Sequence, residues 1–305
     1  MTYPLIAAAF LAAAMTACFT GIESTPKITD SEIRRQNVRE RPEDSYLSDI
    51  KAEPFEKWTR GKKFYVTDNR FSLLLLPSEE KTDSLAGQVV SFESSKELTD
   101  ITGNRIVELT FTTDNGTPLS YRTSHSRTAI ENAGKLDIPF LVELSVIDQV
   151  REKLLGKSFY VITANWYDLN LSSLTGRKFI PAKITDIRPG NEYYSTLLEL
   201  NDEKGAPFCL FMSVGNDLKT LRNFGSLFSF NDPRKSYPDI SDETWRNIIN
   251  GRVATDMTRD ECRLALGAPA TVDSRVGYSS IREIWTYENG IYLIFEDNLL
   301  KSFRQ

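Results

Sequence analysis

The sequence predicts a mainly β protein: two small antiparallel β-barrels in tandem, followed by an α+β tail of order ααβββ. Three observations predict it. "GKKFYVTDNRFSLLLL" at 61–76 returns as "GKSFYVITANWYDLNL" at 156–171. Within each copy, runs of β-branched and aromatic residues alternate with hairpin-type turns. After Pro238 the pattern changes to two capped helices and a meander.

The repeat places Gly61, Phe64, Tyr65 and Val66 on Gly156, Phe159, Tyr160 and Val161, 95 positions on. Gly116 and Pro118 pair with Gly205 and Pro207 at an offset of 89, and Asn132 and Gly134 with Asn223 and Gly225 at 91. Matched order with drifting offsets is what loop-length changes in a duplicated domain produce. In the first copy the predicted strands are Phe64–Asp68, Phe71–Leu76, Gly87–Glu93, Arg105–Thr113 and Pro118–Thr123. Asp114-Asn115-Gly116 and Glu203-Lys204-Gly205 supply hairpin turns, and short helices at Thr128–Ala133 and Leu218–Asn223 close the copies. Between them, Val146, Ile147, Val150, Leu154 and Leu155 share one helical stripe, with Ser145 and Asp148 as the cap pair and Gly156 as the stop. Glu53–Arg60, with Phe55 and Trp58, is the expected counterpart helix before the first copy.

In the tail, Ser241 caps one helix, with Ile240 and Trp245 at the staple positions. Thr258-Arg259-Asp260-Glu261 forms a capping box for a second, with Met257 and Cys262 as its staple and Gly267-Ala268-Pro269 as its end. Glu283–Tyr287, Ile291–Glu296 and Leu299–Arg304 follow as three strands around Asn289-Gly290 and Asp297-Asn298 turns.

The N-terminal stretch is of another kind. No charged residue occurs from Met1 to Ile22, and Leu5–Ala17 is a 13-residue apolar run. As a helix it rises roughly 20 Å, short of the ~30 Å hydrocarbon core, so it reads as a signal-peptide core. Residues 19–52 are polar, mixed in charge and poor in aromatics, the composition of a tether, with packing of a helix or strand against the body the alternative at Tyr46-Leu47 and Ile50.

Three resemblances follow from these residues. Met15-Thr16-Ala17-Cys18 resembles a bacterial lipobox, although Met15 stands where Leu is commonest and no basic residue precedes the apolar run. The resemblance implies cleavage after residue 17 and diacylation of Cys18; a plain secretory signal and an uncleaved anchor are the alternatives. Each copy resembles an SH3-type barrel in strand count and in its Gly-Lys-x-Phe-Tyr-Val opening. Gly251, Val253, Met257-Thr258, Glu261, Leu266-Gly267-x-Pro269, Trp285-x-Tyr287, Phe295 and Leu299 resemble the BamE/SmpA/OmlA family of small outer-membrane lipoproteins, with Asp256 in place of a usual Gly. That resemblance implies an envelope protein working through protein contacts, outer-membrane assembly components among its partners.

The expected organisation is therefore a signal peptide at 1–17, a lipid-anchored tether at 18–52, a first barrel at 53–140, a helix and second barrel at 141–232, and a BamE-like unit at 239–305. Phe19-Thr20 after the anchor lacks the Asp that retains some lipoproteins in the inner membrane, and no acidic run follows Cys18. The resemblance to those sorting rules favours the outer membrane and its periplasmic face.

Net charge is -5 with no long basic run, which argues against nucleic acid as a partner. His125 is the single histidine, which removes His-dependent triads and His-rich metal sites, and its strand-end position reads as solvated. Cys209 and Cys262 lack metal or redox spacing and read as small core hydrophobes, a disulfide between them in the periplasm being the alternative. No glycine-rich phosphate loop is present, so the expectation is a non-enzymatic binding or scaffold protein with no cofactor or metal. The candidate binding residues are the aromatic pairs Trp166-Tyr167 and Tyr193-Tyr194, together with Phe64-Tyr65, as lining for a peptide or glycan groove. Alternation along strands sends one of each pair to the core. Asp83-Ser84-Leu85 also resembles an O-glycosylation triplet.

Overall fold

One strand plan is used twice. In the computed structural model, which describes residues 41–77, 84–214, 222–276 and 281–305, three antiparallel sheets form a mainly β protein. The expected signal peptide at 1–17, Cys18, the expected tether up to residue 40, Asp83 and most of the expected helix 218–223 lie outside the described residues.

The first sheet contains β1 (Lys63–Val66), β2 (Val89–Thr99), β3 (Arg105–Thr113), β4 (Pro118–Arg122) and β5 (Leu141–Glu143), in the order β4-β3-β2-β1-β5. Helix α1 (Arg127–Ala133) joins β4 to β5. After helix α2 (Leu144–Leu154) the second sheet holds β6 (Ser158–Val161), β7 (Asn165–Tyr167), β8 (Ser173–Thr175), β9 (Ile180–Pro189), β10 (Thr196–Asp202), β11 (Pro207–Met212) and β12 (Phe228–Ser229). Its order is β12-β6-β9-β10-β11-β7-β8, and α3 (Phe224–Leu227) precedes β12. In both, the opening strand lies between the closing strand and the first long one. Both are open sheets, where closed barrels were expected.

The correspondence extends to irregularities. β2 bulges at Glu93, between the pairs Phe92↔Phe111 and Ser94↔Thr110. β9 bulges at Thr185, 92 residues on, between Leu200↔Ile184 and Glu199↔Asp186. The amides of Gly61 and Gly156, both at positive φ, donate to the carbonyls of Phe92 and Ile184. β1 and β6 share the burial order exposed, buried, half-buried, buried, with Phe64 and Phe159 turned inward.

Other expectations are corrected. Phe71–Leu76 is no strand: the Asp68 side chain accepts the Arg70 amide and starts a 3₁₀ turn over Asn69–Leu74 that drops Phe71 into the core, leaving Leu75 to bridge to Tyr121. The pairing of Asn132 and Gly134 with Asn223 and Gly225 also fails. Asn223 caps the start of α3 and Gly225 lies within it, whereas Gly134 terminates α1; the true counterpart of Asn223 is the cap Ser126. Helix α2 starts from Glu143 without a side-chain cap, because the Ser145 hydroxyl donates to the Glu143 carboxylate. Of the helix expected over Glu53–Arg60 a 3₁₀ turn at Phe55–Lys57 forms, after Pro54, and Phe55 and Trp58 are buried as expected.

Residues 41–52, expected as the end of the tether, are instead seated on the second sheet. Leu47 and Ile50 are buried in the second sheet's core, and Tyr46 packs on Phe159, Phe224 and Phe230. Arg41 donates to the Gly225 carbonyl, and the buried Glu43 carboxylate accepts the Phe230 amide at 2.8 Å. Residues 41–52 therefore belong to the fold. A Cβ on Gly225 would lie 2.1 Å from an Asp44 carboxylate oxygen, which shows how closely that segment is seated.

The C-terminal unit has α4 (Asp242–Ile249) and α5 (Arg259–Leu266) on one face of a sheet ordered β13 (Thr271–Val276), β14 (Ile281–Thr286), β15 (Tyr292–Glu296) and β16 (Leu299–Arg304). Ser241 caps α4 and the capping box on α5 is complete. Met257, Cys262, Trp285, Tyr287, Phe295 and Leu300 fill its core. The expected ααβββ order misses β13: its Asp273, Ser274 and Arg275 lie on an exposed edge, where no hydrophobic alternation marks a strand.

The segment between β8 and β9 docks on this unit. Phe179 stacks on Trp245 at 5.4 Å, and Lys178 donates from Nζ to the Leu264 carbonyl near the end of α5. Burial pushes the Lys178 ammonium down from 10.5 to about 8. The unfolded chain thus holds more protons than the folded one between those values, and the stability linked to Lys178 rises as pH rises from about 8 to 10.5. Across that window the melting temperature should climb by roughly 2–4 °C more in the wild type than in Lys178→Met, as calorimetry would read.

Candidate functional site

β11 is buried on both faces. Phe208, Leu210 and Met212 enter the core of the second sheet, while Cys209 and Phe211 point the other way and join Leu197 of β10 in a separate cluster. Two tyrosines half-cover it: Tyr167 from β7 meets Phe211 edge-on at 5.0 Å, and Tyr194, from the turn before β10, lies 6.2 Å from the same ring. Arg222 completes the group, with its guanidinium carbon 5.9 Å from the Tyr167 centroid and 5.7 Å from that of Tyr194. Nε donates to the Phe211 carbonyl at 2.9 Å and one terminal nitrogen to the Asn165 carbonyl at 3.0 Å. Its other terminal nitrogen has no protein acceptor among the described residues. Burial lowers the Arg222 pKa from its ordinary value, and the group remains a cation held between two π faces.

Such an arrangement can take a carboxylate on the free edge of the guanidinium, or an aromatic or proline ring on the tyrosines. Among the described residues no accessible nucleophile serves it: the Cys209 thiol beneath is fully buried, and that burial raises its pKa.

Of the four aromatic candidates, the structure brings together Tyr167 and Tyr194 and separates the others. Trp166 is core: it stacks on Phe208 with centroids 3.7 Å apart, donates from Nε1 to the Thr163 carbonyl and has Gly176 pressed on its face, so it is closed to a ligand. Tyr193 is exposed and lines a cleft of about 180 Å³ with Thr67, Asp68, Arg70, Asn191 and Glu192, where Arg70 bridges Asp68 and Glu192. Phe64 is buried and Tyr65 half-buried. Arg222 escaped the sequence reading because a single arginine before a helix cap carries no motif.

No protein-family model, curated protein or solved structure matches the chain.

A second recess, about 290 Å³, lies on the C-terminal unit between α5 and the sheet, lined by Arg259, Asp260, Arg263, Val272, Glu283, Trp285 and Asn298. Arg263 sits 4.9 Å over Trp285, and Glu283 takes Arg259 on one oxygen and the Trp285 indole N–H on the other. Cys262 is buried in that unit's core, which pushes its thiol up to about 12, and Cys209 lies in the outer cluster of the second sheet; both are free. His125 is exposed, as its position implied. Among the described residues no set of three His, Cys, Asp or Glu is placed to hold a metal, and no helix is long and apolar enough to cross a membrane.

Proposed function

We propose that the protein is a non-enzymatic lipoprotein of the cell envelope, anchored in the outer membrane through a diacylated Cys18 and facing the periplasm. There it binds or scaffolds envelope proteins, outer-membrane assembly components among them. The observation that carries this reading is Met15-Thr16-Ala17-Cys18 at the end of an uncharged apolar run. Two acyl chains suffice for stable anchoring, since each buried CH₂ contributes about 0.8 kcal/mol. The element order around the α5 capping box, with Trp285, Tyr287 and Phe295 in the core, supports the resemblance to BamE-type units. The repeated order of closing, opening and first long strand supports the resemblance to SH3-type folds. Metabolic acyl labelling should mark the wild type and leave Cys18→Ala unlabelled; a soluble, unmodified wild type would overturn the reading. Crosslinking in cells should then co-purify outer-membrane assembly proteins with the anchored form alone.

The cation held between Tyr167 and Tyr194 favours a second reading, a peptide- or peptidoglycan-binding role for the second repeat. Purified peptidoglycan should retain the wild type, and Arg222→Gln should bind it several-fold less; equal retention of both would assign the cluster to stability instead.

A further inference from the structure

The C-terminal sheet ends in an edge strand that is complementary to itself. β14 pairs with one side of β13, and among the described residues no strand pairs with the other. Val272-Asp273-Ser274-Arg275-Val276 reads the same in apolar character and opposite in charge about Ser274. Positions 272, 274 and 276 fall opposite Trp285, Glu283 and Ile281, while 273 and 275 fall opposite Ile284 and Arg282 on the other face. Val272 is 52 % exposed, and Asp273 and Arg275 are exposed side chains linked to each other at 3.2 Å along the strand.

We propose that two copies of the chain pair antiparallel through β13 on a two-fold axis at Ser274, joining their four-stranded sheets into one. Directly opposite residues in an antiparallel pair share a face and lie close enough to interact. This register sets Asp273 of each copy against Arg275 of the other, twice, and position 272 against position 276. Moving the axis by one residue centres Asp273 on Asp273 or Arg275 on Arg275, so charge selects a single register. Edge strands usually carry charge to repel one another. The far edge does so, since β16 carries Lys301 and Arg304 and no acid; on β13 the alternation of sign attracts instead.

Analytical ultracentrifugation of the full chain in mild detergent, in a Cys18→Ala background, tests this. The parent chain should form dimers. Asp273→Arg alone and Arg275→Asp alone each set like charges across the axis and should weaken self-association by about tenfold or more. Mixing these two variants should restore dimers as heterodimers, one strand positive and the other negative. Ser274→Cys should crosslink across the axis on oxidation, and should fail to do so when combined with Asp273→Arg. A parent chain that stays monomeric, single variants that dimerise like the parent, or a Ser274→Cys chain that does not crosslink would overturn the pairing.

Discussion

Lys62→Ala should lower the unfolding free energy by about 3–5 kcal/mol, the usual cost of leaving one member of a buried ion pair without its partner. Lys62 Nζ lies 2.9 Å from Glu53 and 2.5 Å from Glu143, and the Lys62 and Glu143 side chains are 6 % and 8 % exposed. The ammonium sits 5.5 Å from the Trp58 ring centroid and 5.7 Å from that of Phe64. One side chain thus ties the lead-in at Glu53 and the end of β5 to the start of β1. Removing it strands a largely buried carboxylate without its counter-charge, whereas Lys62→Met with Glu143→Gln removes both charges and should recover most of the loss. Urea unfolding of the double-mutant cycle measures this. A Lys62→Ala loss below about 1 kcal/mol would mean that the pair is as solvated as a surface bridge.

Trp166→Ala should cost a similar amount, about 3–5 kcal/mol, because the ring is clamped on both faces. Phe208 lies against one face, only 11° from parallel, and a Cβ added to Gly176 would come within 1.9 Å of the other. Gly176→Ala should therefore destabilise strongly by itself. The two changes share one volume, so their effects should not add: in the Trp166→Ala background, Gly176→Ala should be nearly neutral, as thermal melts of all four chains would read. A ligand-binding tryptophan behaves otherwise, losing affinity on truncation while the fold keeps its stability.

What could be read from the residues depended on whether the signal was local. Caps and turns are local, and Ser241, the Thr258–Glu261 box and the Gly116 and Gly205 turns stand where the sequence puts them. The repeat was legible because Gly61 and Gly156 begin the same backbone exchange. Phe71–Leu76 misled because a leucine run resembles a strand until the Asp68 side chain is seen to capture the Arg70 amide. β13 was missed because an edge strand exposed on both faces need not alternate. Composition alone leaves residues 41–52 open between tether and a segment packed through Tyr46-Leu47 and Ile50; what decides it are partners at Phe230 and Phe159, more than a hundred residues away, which also bury Glu43. For the same reason half of the candidate site was hidden: the strand pattern could say that one aromatic of each pair turns inward, but not that Arg222 would lie between Tyr167 and Tyr194.

The seating of Arg41–Ile50 on the second sheet also fixes a load path. Tension arriving from the N-terminal side meets the Arg41–Gly225 contact, the Glu43–Phe230 hydrogen bond and the rings around Tyr46, so it passes first into the repeat that comes later in sequence. The first repeat, though nearer along the chain, hangs beyond that clamp and is shielded from the pull. Under force, the second repeat would then be the fuse: while Arg41–Ile50 stays seated, the first repeat carries none of the load.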